Sequence, residues 1–273
     1  MTISEHVVLL KTGLLVSFLA LAAFAVFAVK TFSLYPGLIA VAAERSGLLF
    51  TARAGTASYA APVSVGLAVL FAVVTQILLY YFFEKTQSME IRFFGIFLFS
   101  FVFEILRIAL PVKTAFDISG YMPVIAFRMM IFGRFYGLLA LLAAGLYASG
   151  LKVQREGAVI FTIAVVALFF AFRVPLDAFS YDTSLYPLTG FPNMFKMTNA
   201  ALVLLTVFCF ISGAYTRGVN EYYFTVPGIL AAAAGRTLLF TSDTWLTLFS
   251  GLVLLVSGTW LVGNQLRRIY LWV

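Results

Sequence analysis

Long unbroken apolar runs alternate with short polar punctuation along the whole chain. The runs cover residues 9–29, 62–83, 93–112, 122–146, 158–176, 197–214, 223–241 and 245–262. A helix rising about 1.5 Å per residue needs about 20 apolar residues to cross a hydrocarbon layer. Each run is close to that length. Barrel strands would instead alternate apolar and polar positions over about 10 residues. The pattern therefore predicts an all-α fold. It is a polytopic transmembrane helical bundle of about eight spanning helices, forming a single domain over residues 1–273.

Two connections are long. The first, residues 31–61, contains YPGLIAVAAERSGLLFTARAG, too polar to span and too apolar to float free. It predicts an interfacial or re-entrant helix in the first outer loop. The second, residues 177–193, reads DAFSYDTSLYPLTGFPN, and its Pro, Gly, Asp and Tyr content predicts an ordered, turn-rich cap. The first run ends near AFAVFA, whose small residues resemble a signal cleavage site. The apolar run is too long for a signal peptide, so an uncleaved anchor is expected.

Composition sharpens this picture. Hydrophobic residues make up 63% and charged residues 11%, so too little polar surface exists to cover a separate soluble domain. The net charge of +7 is spread singly along the chain with no basic stripe, which argues against nucleic acid and for anionic membrane lipids. Lys11, Lys85, Arg92, Lys152, Arg155, Arg217, Arg267 and Arg268 fall on the side of the short connections. That density places both termini in the cytoplasm of a bacterial cytoplasmic (inner) membrane.

Small residues four apart, Gly228 with Ala232, Ala231 with Gly235, and the row Ala140, Ala144, Ala148, suit close helix packing. The same rows leave open a homo-oligomer or a partner membrane protein.

Ionisable groups inside apolar runs raise the functional question. They are Glu104 and Arg107 in FEILR, Arg128 and Arg134 in FRMMIFGR, Arg173 in AFRVP, and Arg236 in AAAAGR, with Asp177 at the start of the cap. Most lie in the outer half, where topology signals do not put arginine. Ser100, Glu104, Arg107 and Pro111 share a helix face. Arg128 and Arg134, six apart, diverge by about 120° around a helix and cannot aim at one point. Glu104 is expected to pair with one of them as well as with Arg107, since a guanidinium can grip a carboxylate at two points. Two readings follow: a self-satisfied ion network that fixes helix register, or a basic cavity open to the outside for an anionic or amphipathic ligand.

Chemistry is thinly supported. Cys209 and His6 are the only residues of their kinds, so neither a disulfide, a classical zinc site nor a haem site is expected. No phosphate-binding or dinucleotide fingerprint appears. No cofactor and no metal are expected. The leading reading is a non-enzymatic sensor, receptor-like or assembly module. The alternatives are a small transporter or channel, and a lipid-modifying enzyme, for which no motif speaks; in a histidine-free enzyme a lone acid such as Glu104 or Asp177 could act as a base beside an Arg-bound phosphate.

Overall fold

The computed structural model describes residues 3–34, 60–83, 88–109, 112–113, 120–151, 156–181 and 184–271. The helices are α1 (Ile3–Leu34), α2 (Ala60–Phe83), α3 (Met89–Phe99), α4 (Tyr121–Ala148), α5 (Glu156–Arg173), α6 (Pro192–Arg217), α7 (Glu221–Phe240) and α8 (Trp245–Leu271). A 3-10 segment, Ser100–Ile108, continues α3. Among the described residues, seven helices are long and apolar enough to cross a membrane. The third expected span is composite, 11 residues of α-helix followed by nine of 3-10 helix. The proposed helix of the first outer loop falls on residues 35–59, outside the described residues.

The cap adds a small strand pair to the helical fold. Strands β1 (Leu176–Tyr181) and β2 (Pro187–Thr189) pair antiparallel, with Leu176 opposite Thr189. The hairpin sits on aromatic packing: Phe135 stacks on Phe170 at 5.0 Å and meets Phe195 edge-on at 5.3 Å, and Tyr186 tilts against Phe195.

Glycines set how closely the helices pack. A Cβ on Gly235 would lie 2.7 Å from the Gly251 carbonyl oxygen, and one on Gly258 would lie 2.7 Å from that of Gly228. Thus α7 and α8 touch backbone to backbone, and the small-residue row of α7 is used within the chain. A Cβ on Gly137 would sit 2.8 Å from the Ser100 Cβ, and one on Gly133 would be 2.5 Å from Phe103 Cγ, so α4 seats the 3-10 segment the same way. The Ala140, Ala144 and Ala148 row is buried, and an added Cβ on Gly213 of α6 would meet the Ala148 carbonyl.

Pro227 lies inside α7, which runs through it. Trp260 lies within α8, which continues to Leu271. Tyr222 is buried in a polar network at one end of the bundle.

That network joins six helix ends. Glu90 of α3 accepts hydrogen bonds from Ser88 at 2.8 Å, Tyr270 of α8 at 2.5 Å, and Arg217 of α6 and Tyr222 of α7 at 3.4 Å each. Arg92 pairs with Glu156 of α5, and Arg217 also donates to the Tyr147 carbonyl of α4. The starts of α3, α5 and α7 therefore lie beside the ends of α4, α6 and α8, so these helices run alternately up and down. This end, where α8 finishes, is the C-terminal face. Two carboxylates meet two guanidiniums here, so the clasp is close to neutral. Glu90→Gln is expected to lower stability by about 1–3 kcal/mol, because it weakens a buried acceptor shared by four donors. Thermal unfolding in detergent checks this.

Candidate functional site

The opposite end of the bundle holds a different arrangement. The 3-10 winding, with about three residues per turn, stacks Phe101, Glu104 and Arg107 in one column. All three are buried. Sequence spacing alone placed Ser100 on that face; its hydroxyl instead donates to the Phe97 carbonyl at 2.6 Å within its own helix. Pro111 lies outside the described residues.

Glu104 is gripped at both oxygens by Arg134 of α4, with Nε at 2.7 Å and Nη2 at 2.8 Å. Arg107 approaches the same carboxylate at 3.8 Å. It also donates to the Ser64 hydroxyl of α2 at 3.2 Å and to the Ser184 carbonyl in the cap. Arg236 of α7 donates to the Arg134 carbonyl at 2.7 Å and lies 5.0 Å from the Phe240 ring centroid. The Arg134 guanidinium lies 4.5 Å from the Tyr186 ring centroid and 4.6 Å from that of Phe240, two cation–π contacts.

Relative exposure is 0% for Arg107, 1% for Glu104, 4% for Arg236 and 6% for Arg134. Three guanidiniums thus surround one carboxylate among the described residues. Among the described residues, the Nε atoms of Arg107 and Arg236 are buried without a hydrogen-bond partner, as is that of Arg92 in the clasp. The excess of two positive charges contrasts with the balanced clasp at the C-terminal face. A buried ion pair is tolerable when the charges match and the remaining donors are satisfied. Neither condition holds here among the described residues.

The expected pairing of Glu104 with Arg107 and one of Arg128 and Arg134 is the arrangement present, with Arg134 as partner. Arg128 turns toward α5 and donates to the carbonyls of Ala171 at 2.9 Å and Phe172 at 2.8 Å. It caps the negative end of that helix, as a cation at a helix C-terminus does. Arg173 is exposed and rests against Phe169 at 5.2 Å. Neither joins the cluster. Asp177 lies in β1 opposite Leu188; its side chain is outside the described ones. Asp117 and Asp182 also fall outside the described residues, while Asp243 is exposed on the α7–α8 turn.

Sequence reasoning missed Ser64, Ser184, Tyr186 and Phe240, which carry no charge to single them out. It also missed the whole clasp, whose Glu90, Arg92, Glu156 and Arg217 read as ordinary loop-edge charges.

Arg128→Gln is expected to cost about 1 kcal/mol of stability, the scale of a charge at a helix end. Because Arg128 stands apart from Glu104, the substitution should leave the cluster intact, and thermal unfolding of the purified variant checks the size of the loss.

A curated protein of Treponema pallidum (strain Nichols), itself uncharacterised, is 25% identical over 239 residues, covering 70% of this chain and 69% of its own length. No family profile matches the chain. No solved structure matches it.

Proposed function

We propose that the protein is an integral membrane module that binds an anionic or amphipathic ligand beneath the cap hairpin, acting as a sensor, receptor-like or assembly unit. The carrying observation is the Glu104 cluster: three buried guanidiniums, one carboxylate and two buried Nε donors without partners. Aromatic faces of Tyr186 and Phe240 against Arg134 suit a ligand with an apolar part. The Ser184 and Tyr186 contacts place the hairpin over the site, so a ligand enters by displacing it. Seven apolar helices of spanning length support the membrane setting. The basic residues near the C-terminal face support placing that face, with both termini, in the cytoplasm of a bacterial inner membrane.

The test is mass spectrometry of gently purified protein for a retained anion, followed by binding of that anion to variants. Arg236→Gln should weaken binding about tenfold or more, since a hydrogen bond to a charged group contributes about 1.5–3 kcal/mol. Arg128→Gln should leave it unchanged. Purification with no retained anion, together with unfolding of both Arg236→Gln and Arg107→Gln, would instead assign the cluster a purely architectural role.

One observation favours transport as the second reading: the nine-residue 3-10 stretch beside the cluster. Irregular helices beside ion sites are a feature of transporters. Anion flux into proteoliposomes separates the two readings.

A further inference from the structure

At the C-terminal face, a groove of about 190 Å³ runs between α2, α3 and α8. Its walls include Phe71, Leu78, Phe82, Val256, Trp260 and Gly263. Thr75 and Thr259 also line it, but their hydroxyls donate to their own helix carbonyls at Phe71 and Leu255, so the walls are mostly apolar, with Asn264 beside Arg267 at the polar end.

The groove exists because α8 has two faces with different tasks. Gly251 and Gly258 are pressed onto α7. Val256, Trp260, Gly263 and Arg267 follow one another at spacings of four, three and four, a single stripe down the helix toward α2. The stripe is about 16 Å long. It is apolar for most of its length and ends in a cation where α8 reaches the C-terminal face. Arg267 is exposed, with its guanidinium 5.1 Å from the Phe82 ring centroid, and Arg268 beside it is exposed too. Trp260, at 70% relative exposure, offers an open aromatic wall deep in the helix rather than at its end.

We propose that this groove seats part of one anionic glycerophospholipid, with a stretch of acyl chain along the α8 stripe and its phosphate at Arg267. The argument is charge and shape complementarity. A free phosphate has no use for the apolar walls. A zwitterionic lipid fills the walls equally well but presents a second, positive group to the Arg267 and Arg268 end. Only a lipid with a net negative headgroup satisfies both ends. The site lies at the other face from the Glu104 cluster and does not depend on the function proposed there.

Native mass spectrometry of the full-length protein in detergent tests this, with phosphatidylglycerol and phosphatidylcholine of identical acyl chains. Phosphatidylglycerol should be retained about fivefold more strongly, the effect expected of one arginine near a headgroup. Arg267→Gln, a change at an exposed position, should abolish that preference while leaving total lipid retention similar. Gly263→Leu should reduce retention of both lipids. An added Cβ at Gly263 meets no atom within 4 Å, so the larger side chain projects into the groove without clashing with the fold. Equal retention of the two lipids by the unmodified protein would overturn the proposal. So would a preference that survives Arg267→Gln, or a lipid-free dimer in which a second copy takes the groove.

Discussion

Glu104→Gln lowers the protein's stability by about 3–5 kcal/mol, the loss expected when one partner of a buried ion pair is removed. The glutamine keeps the shape and removes the negative charge. Arg134 then loses its two-point partner, and Arg107 and Arg236 remain as buried cations, Arg236 against the Phe97 and Phe240 rings. Thermal unfolding in detergent measures the effect. Pairing the change with Arg134→Gln should recover part of the loss, since the double variant leaves one fewer uncompensated charge. A loss under about 1 kcal/mol would mean that another anion neutralises the arginines.

The second large effect is steric. Gly235→Leu should prevent α7 and α8 from docking, because the first added carbon already falls within 2.7 Å of the Gly251 carbonyl oxygen. That obstacle is backbone and cannot rotate away. Ordinary core overpacking costs about 1–3 kcal/mol, and this contact exceeds the ordinary case. The expected readout is failure to accumulate as monodisperse protein. Gly157→Leu is the contrast, since nothing lies within 4 Å of an added Cβ there. Normal behaviour of Gly235→Leu on size-exclusion chromatography would refute the close helix contact.

Helix positions were legible because apolar length is a strong signal, and seven of the expected runs became single long helices. The third run was not legible as composite. FSFVFEILRI carries no proline or glycine to announce a change of winding. It packs against Gly133 and Gly137 of α4, distant in sequence, which let it approach closely. The intramembrane charges were legible for the same reason as the helices, because arginine stands out in an apolar run. Which arginines converge was only half legible. The angular divergence of Arg128 and Arg134 showed that one must turn away. The choice depended on the end of α5, whose open carbonyls at Ala171 and Phe172 attract Arg128. The clasp at the C-terminal face was illegible, since Glu90 and Arg217 sit at helix ends where charge is ordinary. Only the meeting of six ends buries Glu90 and sets Arg217 beside it.

The change of winding after Phe99 has a consequence for axial reach. A 3-10 helix advances about 2.0 Å per residue against 1.5 Å for an α-helix, so nine residues extend roughly 4–5 Å further than they would otherwise. A stretch of only 20 residues, 11 and nine, therefore reaches as far as about 23 α-helical ones. Relaxing Ser100–Ile108 to α-helix would shorten that reach and swing Arg107 by about 60° away from Glu104, because three residues then turn about 300° instead of a full circle. The length of this helix and the alignment of its ion pair are one coordinate, so neither can change alone.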